Sequence, residues 1–346
     1  MTIEDVTVGN KHEWNEFVED HFPFVGAFMQ TWEWGEFQKE LGREIGRYTV
    51  VENEKQIAAF TIVHFALPAG MHYGYVQRGP VIRKDVADDT VITILETIKL
   101  WAKKQFPRFV FLRLEPPLST LPQGLAHLGF RVPPYYIQPR YNMLVSLHAN
   151  EEEIAASFHP STRSNLRRAE KRGVSVLMKP AIGQDDYASY CLMMKDTIRR
   201  NSGQNAYPGD EYFRSLLRTI PFIGDTNDQH SLLLGAFYGY RDGKPASVHF
   251  VLFFGKTATY LYGASHTEHL KAKVDTYLHW LAMKEAKWRG YEYYDLGGID
   301  DSRWPSLTNF KRQFRGEETS YIGNIDIPFN RVSYGAYSLL KRFKHA

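Results

Sequence analysis

One cysteine, Cys191, stands among 346 residues, so no disulfide can close within the chain. Its apolar setting, YCLMM, reads as a buried structural thiol. The thirteen histidines form no His/Cys/Asp cluster at metal-ligand spacing, so no metal site is expected. No apolar run reaches the roughly 18 residues a bilayer demands. Residues 1–10 (MTIEDVTVGN) lack the basic and apolar regions of a secretory signal, so a cytoplasmic location is expected. Net charge is only +3, which excludes nucleic-acid binding by bulk charge while leaving room for a local basic patch. Low-complexity segments and long heptad arrays are missing. So is any serine or cysteine in a recognisable catalytic triad setting.

What is present describes a globular protein. Hydrophobic residues make up 43% and charged residues 23%, and 346 residues suggest about two domains. The element pattern occurs twice. Residues 48–66 predict a hairpin turning near Asn53–Lys55, and 232–254 predict another turning at 241–244. Each is followed by a Tyr/Gly-rich strand (HYGYVQRGPVI from His72, ATYLYGAS from Ala258). Next comes an amphipathic helix (from Ile92 and from Thr276), then a further strand (RFVFLRLEPP from Arg108, EYYDLGGI from Glu292). The expectation is an α/β (α+β) protein of two tandem acetyltransferase-like domains, with mixed, mostly antiparallel central sheets. The first is expected over 1–147 and the second over 148–346. The cationic, amphipathic segment 331–346 is assigned to the second as its closing helix, with packing on the first as the alternative. That segment is also compatible with transient contact with anionic membrane lipid.

The densest information lies at 291–314, YEYYDLGGIDDSRWPSLTNFKRQF. A Tyr-rich strand breaks at Asp295 and Gly297-Gly298, where backbone is expected to approach another group closely. Beyond a polar loop, Lys311 arrives between Phe310 and Phe314: a cation on a stiff apolar wall, suited to negative charge developing in acyl transfer. The alternative is a solvated surface lysine beside a turn. The helix predicted from 161, capped by Ser161 or Thr162, carries Arg163, Arg167, Arg168, Lys171 and Arg172. It reads either as a solvated charged face or as a patch for the acceptor end of tRNA. An acyl-CoA pyrophosphate loop would need a Gln/Arg-x-x-Gly-x-Gly/Ala run. Gln77-Arg78-Gly79-Pro80 lacks the later glycine, and Pro80 removes an N–H.

In order, the segments QTWEW (30–34), RGPVI (78–82), FLRLEPP (111–117), IQPRYNMLVSL (137–147), TRSNLRRAEKRGVSV (162–176), YLYGAS (260–265), YDLGGI (294–299), FKRQF (310–314) and SYIGNID (320–326) resemble the Fem family of peptidoglycan interpeptide-bridge aminoacyltransferases. The FemX type is the most similar, since the family's long helical-hairpin insertion has no counterpart here. The resemblance implies an enzyme that takes an amino acid (glycine, alanine or serine) from aminoacyl-tRNA. It would pass it to the stem peptide of UDP-MurNAc-pentapeptide or lipid II, as a monomer without a cofactor, in the cytoplasm or at the inner face of the cell membrane. It implies a charge-stabilising role for Lys311 with Phe310 beside it, and a donor and acceptor channel lined by Tyr260 and Tyr262. Glu115, in place of the family's aspartate, becomes an orienting carboxylate. Trp34, with Gln38 and Lys39 after it, and Tyr207 and Tyr212 around the EYF run, fall where acceptor binding is implied. Gln38 and Tyr207-Pro208 stand where cationic residues are expected, leaving Arg43, Arg199 and Arg200 as alternatives. Arg163 aligns with a TR motif, making it the first tRNA-binding choice. Two other classes stay open: an acyl-CoA-dependent N-acetyltransferase, and a non-catalytic module binding tRNA or muropeptide.

Overall fold

The computed structural model describes residues 1–201 and 207–345. Strands β1 (Thr2–Asp5), β2 (Ile45–Glu52), β3 (Lys55–Ala66), β4 (His72–Val76), β5 (Val81–Ile82) and β6 (Phe109–Leu114) come first. Then follow β7 (Tyr141–Ser146), β8 (Ser175–Lys179), β9 (Leu233–Arg241), β10 (Lys244–Phe254), β11 (Thr257–Ser265) and β12 (Tyr293–Ile299). The last two are β13 (Glu317–Ser320) and β14 (Ile325–Pro328). The earlier helices are α1 (Lys11–His21), α2 (Trp32–Glu40), α3 (Asp88–Gln105), α4 (Glu151–Ser157) and α5 (Pro160–Lys171). The later ones are α6 (Gln184–Arg200), α7 (Asp210–Thr219), α8 (Val274–Trp288), α9 (Pro305–Arg312) and α10 (Arg331–His345).

The chain forms two compact units, Met1–Arg140 with Ser320–Ala346, and Tyr141–Thr319. In the first, the sheet runs β1-β2-β3-β4-β6-β14, with β5 against β3. Among the described residues only β4 and β6 pair in parallel there, because α3 provides the crossover between them. The β2–β3 turn places Asn53 and Glu54 at φ 50° and 63°, the left-handed region a tight hairpin needs. Val91, Ile94, Leu95 and Ile98 of α3 bury against Phe60, Ile62, Leu112 and Leu114 on one face of the sheet. On β6, Phe111 meets instead the rings of Tyr334 and Tyr337 from α10.

The second unit repeats the plan with the order β13-β7-β12-β11-β10-β9-β8. Its parallel pair is β11 and β12, bridged by α8. Leu278, Ala282, Met283 and Ala286 of α8 pack with Phe237, Val251 and Phe253 of the sheet. Both hairpins, both crossover helices and the doubled α/β order therefore stand as expected from local pattern.

The boundary does not. β7, expected to close the first domain, pairs antiparallel with β12 and completes the second sheet. β14 pairs with β6 and completes the first. The cationic helix α10 packs on the first unit, the stated alternative, rather than closing the second. Each sheet thus takes its last strand from beyond the apparent domain limit, a non-local pairing that no local periodicity encodes. The cap of α5 differs as well. His159 holds the N-cap position, its Nδ1 accepting from the Ser161 N–H at 3.2 Å, and Pro160 fills N1.

Candidate active site

In the second unit the pairing of β12 with β7 is interrupted by a bulge between Asp295 and Gly298. Gly297 adopts φ +81°, and a β-carbon there would lie 3.4 Å from Lys311 Nζ and 3.3 Å from the Tyr260 carbonyl oxygen. This glycine lets backbone, ammonium and the Tyr260 strand converge. Lys311 comes from α9, a short helix with Pro305 in its first turn. The loop before it is closed by Thr308 Oγ1, which accepts from the Asp300 N–H at 2.9 Å and donates to the Asp300 carbonyl at 3.0 Å. Arg312 clamps the far side, forking onto Asp301 (2.6 and 2.9 Å) and reaching Glu318 (2.7 Å).

Lys311 is only 4% exposed. Its Nζ donates to the Gly298 carbonyl at 2.7 Å. Burial lowers its pKa to about 8, against the opposing pull of Asp295. Asp295 is itself fixed, accepting from Asn142 Nδ2 at 2.9 and 3.1 Å and from the Gly297 N–H at 2.7 Å. An ammonium has three N–H bonds and one is spent on Gly298. The rest can meet a substrate oxygen.

Around this lysine the fold assembles groups that are far apart in the chain. Phe310 and Phe314 stack edge-on at 5.5 Å, and both face His279 of α8, at 5.7 and 5.5 Å between ring centroids. His279 lies 4.3 Å from the His249 ring and 4.6 Å from Tyr260, and its Nδ1 is 3.2 Å from the Tyr294 hydroxyl. Burial, then the charges of His249 and Lys311, push its pKa well below the ordinary value, so this imidazole is neutral. His249 Nε2 stands 3.6 Å from Asp275 Oδ1, and Asp275 also accepts from the Ser247 hydroxyl. Burial alone would raise the Asp275 pKa, but His249 and Ser247 turn the net shift downward. The Tyr260 hydroxyl fits over Gly263, where a β-carbon would come within 2.8 Å of His249 Cδ2. Tyr262 packs against Phe213 and Tyr212, with the two tyrosine hydroxyls 3.4 Å apart. Tyr207 lies close enough to Arg200 and Asp275 to feel both charges, although burial dominates and raises its pKa.

The first unit holds the other implied residues. Glu115, at the end of β6, is buried, its carboxylate accepting from the Arg78 N–H at 3.3 Å and the Gln138 N–H at 3.4 Å. Tyr75 is buried beside it, and burial followed by the Glu115 charge raises its pKa well above normal. Trp34 is buried between Phe28 and Phe37, with its indole N–H donated to Gln77 at 2.9 Å. Gln38 is buried and accepts from Arg43, while Lys39 pairs with Glu36 at 3.0 Å. Arg43, hydrogen-bonded to Gln38, lies over the Phe65 ring at 4.8 Å. The loop at 77–80 is engaged by its own protein: Gln30 donates to the Gln77 carbonyl, and Glu115 takes the Arg78 N–H while its own N–H reaches the Gly79 carbonyl. A buried carboxylate at that point opposes a pyrophosphate.

The FemAB family model matches residues 10–123, 121–221 and 238–342, which is most of the chain. The chain belongs to the FemAB family. A protein of Staphylococcus epidermidis named lipid II:glycine glycyltransferase is 25% identical, over 96% of this chain and 94% of its own length. The lipid II:glycine glycyltransferase of Staphylococcus aureus strain MRSA252 is 24% identical over 91% and 92%. Among solved structures, a crystal structure of FemX superposes with TM-score 0.80 at 20% identity, covering 98% of this chain and 100% of that one. A tandem GNAT protein from the clavulanic acid biosynthesis pathway superposes at 0.51, with 12% identity, 95% and 99% coverage, and shows the same tandem fold.

Within this FemAB chain the structure brings Lys311, Phe310 and Tyr260 together, with Tyr262, Tyr212 and Tyr207 nearby in the same unit. Arg163 donates from Nη1 to the Ala156 and Phe158 carbonyls at 2.7 Å each, closing the α4–α5 turn. Arg167 and Arg168 are exposed on α5. Arg200 grips the Ser265 carbonyl at 2.6 Å and Thr267 at 3.0 Å, and Arg199 pairs with Asp196 at 3.6 Å. Sequence reasoning missed His249, His279 and Asp275. Histidines inside otherwise apolar strand and helix patterns, SVHFVLFF and TYLHW, were the available signal. Cys191 is half-buried rather than buried. It lines a groove of about 710 Å³ along α6 and α7, walled also by Tyr187, Leu192, Lys195 and Arg214. None of the expected site residues lines it.

Proposed function

We propose that this chain is an aminoacyltransferase of peptidoglycan bridge formation, moving one amino acid from aminoacyl-tRNA to the stem-peptide amine of lipid II. The observation carrying the reading is Lys311: a buried ammonium, tied to the Gly298 carbonyl and walled by Phe310 and Tyr260. An aminoacyl ester is already activated, so neither a protein nucleophile nor a cofactor is required. The neutral acceptor amine attacks the ester carbonyl, forming the C–N bond. The carbonyl oxygen becomes an oxyanion, to which Lys311 donates. Collapse breaks the C–O bond to the tRNA 3′ oxygen. The proton lost by nitrogen passes to that leaving oxygen through substrate hydroxyls or water. The names of the staphylococcal relatives favour a lipid-linked acceptor and make glycine the first donor to try. The exposed Arg167 and Arg168 offer cations to tRNA phosphates. The engaged 77–80 loop speaks against acyl-CoA.

The deciding assay mixes the purified chain with tRNAs charged with glycine, alanine or serine, and with lipid II or UDP-MurNAc-pentapeptide. Transfer of label to a stem peptide is expected. Absence of transfer from every charged tRNA, with acetyl-CoA instead acylating an amine, would overturn the reading.

A further inference from the structure

The last helix presents two apolar faces, and the fold uses one. Tyr334 and Tyr337 of α10 pack inward on Phe111, with Tyr337 also 6.0 Å from Tyr73. The Tyr334 hydroxyl donates to Asp326 at 2.9 Å, fixing the rotation of the helix. On the opposite side, Val332, Leu339 and Leu340 are 84%, 56% and 66% exposed, and Ala336, also exposed, lies between them. Spacings of four, three and one residues put all four side chains on a single stripe roughly 100° wide. Monomeric proteins seldom leave such a stripe to water. Charge accompanies it: no acidic residue follows Asp326, whereas Arg331, Lys341, Arg342 and Lys344 do.

We propose that α10 is an interfacial helix that lays its Val332–Ala336–Leu339–Leu340 stripe into the headgroup boundary of an anionic lipid bilayer. An aliphatic stripe on a cationic helix is the pattern of membrane-surface helices. No helix among the described residues is long and apolar enough to cross a membrane, so the protein lies on the surface rather than spanning it. Two other occupants fit less well. A second copy docked symmetrically would bring two cationic helices face to face. A nucleic acid would reward stacking aromatic rings, and here the rings face inward. The inference is independent of the acyl-transfer reading, since the binding it describes needs neither tRNA nor a peptide acceptor.

The test is co-sedimentation of the full chain with vesicles of phosphatidylglycerol and phosphatidylcholine in equal parts, against vesicles of phosphatidylcholine alone. Partition to the anionic vesicles is expected, weakening as salt is added. Leu339→Glu combined with Leu340→Glu should weaken it about tenfold or more, while the urea midpoint of the protein is unchanged because both side chains are exposed. Three results would each overturn the proposal: wild-type protein that stays in the supernatant, a double variant that sediments like wild type, or light scattering that shows a dimer which the double variant dissociates.

Discussion

The role proposed for Lys311 and the stability its burial costs can be measured separately. Burial holds its pKa near 8 instead of 10.5, which at neutral pH costs on the order of 3 kcal/mol of folding free energy. Replacing it with Met removes that cost, though the Gly298 carbonyl loses its donor, for about 1 kcal/mol. We therefore expect Lys311→Met to unfold in urea no earlier than wild type while single-turnover transfer falls about a hundredfold or more. Near-normal transfer, or a clear loss of stability, would contradict the role given to this side chain. A second outcome follows from the same group. If the ammonium is the active form, kcat/KM falls as pH rises through about 8, as Lys311 releases its proton. The residual activity of Lys311→Met should lack that descending limb. His279 acts in the acid range. The unfolded chain binds a proton there near the ordinary value of 6.5, whereas the buried imidazole resists it. Below that pH the unfolded state holds more protons, so stability drops by up to about 1.4 kcal/mol per pH unit. In His279→Gln the urea midpoint should depend less steeply on pH below 6.5; an unchanged slope would place the acid sensitivity elsewhere.

Elements that follow from local pattern were legible, and elements that depend on distant partners were not. The two hairpins, α3 and α8 announce themselves through alternation, positive-φ turns and helical spacing within a few dozen residues. The break at Asp295-Leu296-Gly297-Gly298 was legible too, and the group that Gly297 admits is the ammonium of Lys311. His249 and His279 meet only because α8 packs across β10, so nothing in their immediate neighbourhoods joins them. The Arg163 cation was visible in the sequence, but the Ala156 and Phe158 carbonyls it binds were not. The pairing of β14 with β6 is the clearest case. It sets Asp326 opposite Arg113 in register. Both side chains are fully buried, and two contacts of 2.7 and 2.6 Å join them. Burial alone would lower the arginine pKa, but Asp326 outweighs it and holds the charge in place. Asp326→Asn leaves that cation without its counter-charge, and about 3–5 kcal/mol of stability should be lost in urea unfolding. Combining Arg113→Met with Asp326→Leu should restore most of it. A cost below about 1 kcal/mol for the single change would mean that the pair does not hold β14.

Across the whole molecule the two chain crossings, after Arg140 and after Thr319, decide which fragments can fold. The second unit is continuous from Tyr141 to Thr319 and carries its own seven strands. The first is assembled from both chain ends. Without 320–346, β6 loses its antiparallel partner β14 and becomes an open edge, a template for aggregation. Arg113 would be left in the interior without a counter-charge, and Phe111 would lose the rings of Tyr334 and Tyr337. These losses fall on one strand of one sheet, so they compound. Expressed alone, 141–319 should give a cooperative thermal transition and dispersed amide signals. The piece 1–140 should be insoluble or lack such a transition, and adding 320–346, supplied in trans or fused through a flexible linker, should restore folding. The linker route is favoured, because joining the pieces raises their effective concentration to the millimolar range. A cooperatively folded 1–140 would show that the first sheet does not need its final strand, and the division argued from β14 and Arg113 would then be wrong.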